Sequence, residues 1–251
     1  MENFDIKIIK LENYKLDSFY KDLEQLSISL NEKQVCQFMK YYELLVEWNQ
    51  VMNLTAITDF DEVCKKHFID SLSLVKAYDV SSSKTLIDIG TGAGFPGIPL
   101  KIAFPDLKVT LLDSLNKRIN FLNTVIDELE LKNIDALHGR AEDFAEKGKL
   151  REQYDVCVSR AVANLATLCE YCIPYVKVGG HFISYKSEKI ANEIVTAKKA
   201  ISILGGKLEN QVEFMIPNSD IYRNLVVISK NKKTPASYPR KAGVPSKNPI
   251  A

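Results

Sequence analysis

The sequence has no apolar run approaching the roughly 18 residues that a membrane-spanning helix requires. Its opening, MENFDIKIIKLENY, mixes charges too early for a secretion signal. A cytoplasmic protein with no membrane partner is therefore expected. Cysteine is sparse and odd in number: Cys36, Cys64, Cys157, Cys169 and Cys172 read as reduced thiols, which excludes a disulfide scaffold. Cys169 and Cys172 form a C-x-x-C, but no second Cys or His pair stands at ligand spacing, so they read as packing residues and no metal is expected. Glycine (11) and proline (9) are too few for a collagen-like or low-complexity chain. Net charge is nearly absent too, at +1, yet residues 230–251 hold six Lys/Arg and no acid. The remainder thus carries 27 basic against 32 acidic residues. What is present is an ordinary globular composition, 46% hydrophobic and 26% charged over 251 residues. That length suits one fairly large domain with an appendage.

Residues 31–50 place Val35, Phe38, Met39, Tyr42, Leu45 and Val46 at helical spacing behind Asn31, a good N-cap. A second helix is expected over 59–78, with Asp59 and Glu62 in a capping arrangement. From residue 84 short β-rich runs (85–89, 109–113, 133–138, 154–159 and 180–186) alternate with helical ones such as 115–129 and 188–204. This alternation predicts an α/β fold with a parallel sheet and helices on both faces. Two last runs, 207–215 and 225–229, can close the sheet as an antiparallel pair, which separates methyltransferase-like folds from plain dinucleotide folds. The expected organisation is a helical region at 1–83 packed on the core, a core at 84–229, and a basic, proline-rich tail at 230–251. No internal repeat is visible.

Four of the eleven glycines, Gly90, Gly92, Gly94 and Gly97, fall in LIDIGTGAGFPGIPL. A strand ending in such a loop lets backbone N–H groups approach a ligand before a helix starts near Gly97. The string parses as Asp88-x-Gly90-x-Gly92-x-Gly94 or as the dinucleotide fingerprint Gly92-x-Gly94-x-x-Gly97. Gly90 directly after the strand, the acid at Asp88 and Pro96 at the helix start favour the first parse. An acid before the loop suits an ammonium and repels a pyrophosphate. S-adenosylmethionine has such an ammonium and no phosphate. Asp113, nineteen residues beyond Gly94, ends the second strand where a carboxylate can accept both ribose hydroxyls, or can merely cap the next helix.

The strings of amino-group and cytosine-C5 nucleic-acid methyltransferases are absent. Ser159-Arg160-Ala161 follows the fourth strand instead, a cation with no evident base or nucleophile. An acceptor that already offers a lone pair, such as a purine ring nitrogen, needs only alignment and exclusion of water. Two rivals stay open: a dinucleotide-dependent oxidoreductase, and a noncatalytic RNA-binding factor that keeps the fold.

Read together, Asn53-Leu54-Thr55, HFIDSL (67–72), DIGTGAGFPGIPL (88–100), LLDSLNKR (111–118) with Phe121-Leu122, GRAE (139–142) and SRAVA (159–163) resemble the glucose-inhibited division protein B family, the small-subunit ribosomal RNA guanine-N7 methyltransferases. The ending YPRKAGVPSKNPI resembles one branch of it, and Lys186-Ser187 stands where many members have Lys-Gly. The resemblance implies a Rossmann-like class I fold with a seven-stranded, mostly parallel sheet and an N-terminal helical extension. It implies methylation of N7 of a guanine in the 530 loop of 16S rRNA, free or in the small subunit, by a monomer using S-adenosylmethionine. The cofactor-binding residues are then expected to be Asp88, Gly90, Gly92, Gly94, Phe95, Asp113, Ala141, Glu142 and Arg160. Arg160 and Lys186 are candidates for catalysis, and Lys117, Arg118, Arg240 and Lys241 for RNA phosphates. His67 reads at least as readily as a packed histidine, bonded to Asp70 or to a neighbouring carbonyl, as one with a role toward RNA, and His138 reads as structural. The basic tail reads either as a solvated extension or as a clamp on RNA phosphates.

Overall fold

In a computed structural model, residues 9–250 apart from 147, 161, 162 and 189 are described. The β-rich runs form β1 (Thr85–Ile89), β2 (Lys108–Asp113), β3 (Ile134–His138), β4 (Tyr154–Arg160), β5 (Val176–Lys186), β6 (Gly206–Met215) and β7 (Tyr222–Lys230). They join one sheet in the order β3-β2-β1-β4-β5-β7-β6. β1 to β5 are parallel; β7 inserts antiparallel between β5 and β6. The strand order reverses between β1 and β4, so a crevice opens outside the carboxyl ends of β1 and β4.

Alternation along each strand divides the core. Leu86, Val109, Leu111, Val156 and Val158 face one cluster, whereas Ile87, Leu112, Cys157 and Phe182 face the other. The first cluster continues without a break into α1 (Asp17–Gln25) and α2 (Glu32–Met52) through Phe19, Phe38 and Tyr41. Helical region and sheet thus share one core. α2 starts where the sequence places it, because Asn31 and Gln34 cap each other's backbone N–H groups at 2.9 Å.

The helix expected over 59–78 is not uniform. Asp59 does cap α3 (Phe60–Val63), but a π-helical segment, Cys64–Ile69, precedes α4 (Asp70–Leu72) and a 3-10 turn, Ser73–Lys76. Such widened turns recur at functional sites, where they re-aim a side chain. Then come α5 (Gly97–Ala103), α6 (Asn116–Glu128), α7 (Ala141–Phe144), α8 (Leu165–Cys172), α9 (Ala191–Ile203) and α10 (Val244–Lys247). Cys169 and Cys172, buried and free, pack with α8 and α9 in the second cluster. Among the described residues, no helix is long and apolar enough to cross a membrane.

Residues 230–250 differ from the tail expected over 230–251. Lys230 is 1% exposed and its ammonium donates to the Ile173 carbonyl at 3.0 Å. Arg151 donates to the carbonyls of Thr234 and Tyr238 at 2.7 and 2.6 Å, and Ile250 is buried. Composition reads a basic, proline-rich stretch as solvated because it cannot show the buried acceptors waiting on α8 and before β4. The segment is a docked strap.

Candidate active site

The glycine loop after β1 is held from both sides. Gly90 and Thr91 donate their N–H groups to the Leu112 carbonyl (2.8 and 3.2 Å), and Gly92 donates to Asp113 Oδ2 (2.9 Å). These amides are spent on β2, contrary to the expectation that they meet the ligand. Behind the loop, Asp88 Oδ2 accepts from the Thr91 hydroxyl (2.7 Å) and from Gly97 N–H at the start of α5 (2.9 Å). Complete burial pushes the Asp88 carboxyl up to about 7 despite these bonds, and Oδ1 has no partner. A Cβ on Gly94 would strike Ile98 Cδ1 at 2.5 Å and Tyr41 Oη at 2.7 Å. Asp88 and Gly94, both expected among the cofactor contacts, therefore support the loop from beneath and do not line the cavity above it. The Tyr41 hydroxyl, donating to the Ala93 carbonyl, adds a tie from α2 that sequence reasoning missed.

That cavity has a volume of about 740 Å³, the size range of small-molecule sites. Gly90, Gly92, Phe95 and Asp113 line it, as do Ala141, Glu142 and Arg160. Asp113, 3% exposed, lines the cavity, and its Oδ1 accepts from Leu115 N–H at 2.9 Å just before α6. Arg118 reaches its Oδ2 at 3.1 Å, which places this RNA candidate on the cavity wall. Asp113 and Glu142 are the cavity's carboxylates and Arg118, Arg140 and Arg160 its cations, so it is the loop amides, already engaged on β2, and not the charge of the wall that favour a nucleoside over a diphosphate.

Arg160, at the end of β4, divides this cavity from a second of about 620 Å³ and lines both. Its carboxylate partner is Asp70, at 3.0 Å, which also binds Arg223 Nε at 2.7 Å. The guanidinium lies 5.0 Å from the Phe95 ring centre, and His67 stacks on the same ring at 4.6 Å. His67 contacts the Lys66 carbonyl through Nδ1 (3.1 Å) and Thr55 Oγ1 through Nε2 (2.8 Å), the neighbouring-carbonyl reading rather than Asp70. Burial and the Arg160 charge lower its pKa to about 4, so the ring is neutral at pH 7. Lys186 lines the second cavity, tied to Glu193 at 2.7 Å and to the Ala163 carbonyl at 2.9 Å. Ala161 and Val162 of the SRAVA string lie outside the described residues.

Of the RNA candidates, Lys117 and Lys241 are exposed. Arg240 is not available: its Nε and Nη2 grip Glu170 at 3.0 and 2.6 Å, and Glu170 is fully buried. A buried carboxylate needs a cation, and the charge count of residues 230–251 cannot show which lysine or arginine is spent on one. His138 bonds the Ser114 carbonyl at 3.1 Å. Sequence reasoning missed Tyr171, Gly243 and Ser246 on the first cavity and Arg223 on the second. Thr55, inside Asn53-Leu54-Thr55, and Gly243 and Ser246, inside YPRKAGVPSKNPI, did carry a signal.

Strand order and the matching family together assign the class: a Rossmann-like, S-adenosylmethionine-dependent class I methyltransferase. A solved SAM dependent methyltransferase from Aquifex aeolicus shares the fold with a TM-score of 0.51 at 16% identity, covering 70% of this chain and 96% of that one. The family model described as GidB, rRNA small subunit methyltransferase G, matches residues 34–222. A relative of that name from Lachnoclostridium phytofermentans is 58% identical over 233 residues, 93% of this chain and 96% of the relative. Another from Clostridium botulinum is 54% identical over 225 residues, covering 90% and 94%. The chain belongs to the rRNA small subunit methyltransferase G family.

Proposed function

We propose that this chain methylates N7 of a guanine in the 530 loop of 16S rRNA, acting as a cytoplasmic monomer on free rRNA or on the small ribosomal subunit. One observation carries the reading: Arg160 is the shared wall of two adjoining cavities, the first holding Asp113 and Glu142 for a nucleoside and the second holding Lys186 and Arg223, each paired with a carboxylate, for an acceptor. When bound, S-adenosylmethionine supplies a methyl group on a positively charged sulfur. Asp113 is the residue to accept the ribose hydroxyls, with Ala141 and Glu142 beside the adenine. Guanine N7 already carries a lone pair, so no proton has to be removed. The site agrees, since both His67 nitrogens are engaged and its ring is neutral at pH 7. Arg160 and Lys186, each locked by a carboxylate, orient the acceptor base and its phosphates, and Phe95 with His67 shields the wall between donor and acceptor from water.

Transfer of tritium from labelled cofactor to small subunits or to naked 16S rRNA tests this, with reverse-transcription stops after chemical cleavage locating the modified nucleotide. Label at one guanine is expected; label in neither substrate favours the noncatalytic binder. Thermal-shift assays separate the oxidoreductase alternative. S-adenosylhomocysteine at 100 times its dissociation constant is expected to stabilise by about 2.7 kcal/mol, and NAD to do nothing.

A further inference from the structure

Residues 230–250 begin at the end of the sheet opposite the site and finish at its rim. Because β7 runs against β5, Asn224 faces Lys186 at the site end and Ser229 faces His181 towards the other end. Beyond Lys230 the chain is caught next to the start of β4, where Thr234 N–H donates to Glu152 at 2.8 Å and Arg151 donates to the carbonyls of Thr234, Pro235 and Tyr238. It then climbs along α8. Arg240 closes a two-pronged grip on Glu170 and adds its own N–H to Oε1 at 2.7 Å, and the Thr167 hydroxyl donates to the Pro245 carbonyl at 3.2 Å. At the top, Gly243 N–H donates to Glu142 Oε1 at 2.8 Å, and Gly243 and Ser246 join Tyr171 and Glu142 in the wall of the first cavity. Glu142 Oε2 makes no hydrogen bond among the described residues, which leaves one acceptor on that wall for a ligand. The strap itself lies beyond residues 34–222, the part that the family model matches, whereas its partners before β4 and on α7 and α8 lie within it.

We propose that this strap is a working part of the donor site: it completes the wall around the nucleoside, fixes Glu142 through Gly243, and is latched in place by Arg240 on Glu170. The inference rests on the reading of the first cavity as the S-adenosylmethionine site. Strap docking and donor binding then share a free energy, so each strengthens the other by the same factor. Arg240 is a positioning residue, acting through the backbone between itself and Gly243. Ser246 and Gly243 are the parts of the strap that meet the ligand.

The test uses the full chain and S-adenosylhomocysteine. Saturating ligand slows trypsin cleavage after the exposed Lys241 and Lys247 at least fivefold, while cleavage after Lys132, in the exposed turn before β3, keeps its rate. Arg240→Ala weakens ligand binding, read by calorimetry, about tenfold and speeds cleavage after Lys241; Arg240→Lys restores part of both. Ser246→Trp leaves the latch intact and puts bulk into the wall, so affinity falls at least tenfold with an unchanged melting temperature. That variant and wild-type protection decide the matter if Arg240→Ala does not fold. Wild-type binding with undiminished affinity in both variants overturns the strap's role alone, as does the absence of protection at Lys241. A wild type that binds no S-adenosylhomocysteine overturns the donor-site reading, and this inference with it.

Discussion

Asp70 is shared by two arginines, and the sharing makes its removal and theirs unequal. Asp70→Ala leaves Arg160 and Arg223 facing each other half-buried without a counter-charge, and is expected to destabilise by about 3–5 kcal/mol. Arg160→Ala leaves Asp70 on Arg223 and costs about 1–2 kcal/mol, yet reduces methyl transfer far more than that loss explains. Urea denaturation beside a transfer assay separates the two effects; equal losses of stability would make Arg160 structural. The need for a partner at Arg160 was legible because the arginine directly follows a buried strand. Its identity was not, since Asp70 lies 90 positions earlier on a helix whose π turn no spacing rule predicts. Two titrations at the site oppose each other. His67, depressed from 6.5 to about 4, contributes stability above pH 6.5 that is lost as pH falls through 4. Asp88, raised from 3.8 to about 7, contributes stability below pH 4 that is lost as pH rises through 7. Between pH 4 and 6.5 the slopes offset. Asp88→Asn removes the second, so stability measured by urea titration should rise with pH across that window more steeply than in the wild type, by up to about one proton.

In the glycine loop, residues of one type do different work depending on which side of the backbone they face. Gly92 has φ +62° and open space where a Cβ would stand, whereas a Cβ on Gly97 would lie 2.3 Å from Leu111 Cδ2 and 3.0 Å from Asp88 Oδ2. Gly92→Asp is thus expected to fold at a cost of about 1 kcal/mol, aspartate tolerating the left-handed backbone better than most residues. Its carboxylate then intrudes on the donor cavity, and S-adenosylhomocysteine binding is lost. Gly97→Ala should do the reverse, destabilising by about 1–3 kcal/mol through forced repacking of α5 on β1 and β2. Calorimetry and thermal melts on the two variants check the assignment; retained ligand binding in Gly92→Asp would refute it. The place of the loop was readable because strand, glycines and helix follow in order. The direction of its amides was not, because that depends on how the end of β2 lies beside it, with the Leu112 carbonyl and the Asp113 carboxylate close enough to take them.

Across the whole molecule, the sheet was legible from the alternation of runs, while the strap was misread because composition counts charges without their partners. Of its six cations, Lys230 and Arg240 are turned inward and the other four face solvent. Those four sit at opposite ends of the sheet. Lys232 follows β7 beside Gly205, just before β6, far from the carboxyl ends of the parallel strands, and Lys233 adjoins it. Lys241 and Lys247 flank Gly243 and Ser246 on the cavity wall. RNA has to approach the mouth of the two cavities to present a base, so only the second pair lies where its phosphates pass. Replacing Lys241 and Lys247 by serine should weaken rRNA binding and flatten its dependence on salt. On single-stranded RNA each lost phosphate contact removes roughly 0.7 from the log–log slope, hence about 1.4 for the pair. Replacing Lys232 and Lys233 should leave the slope unchanged. Equal flattening by both pairs would mean that the strap attracts RNA through its net charge and that the route back to the site rim has no part in substrate binding.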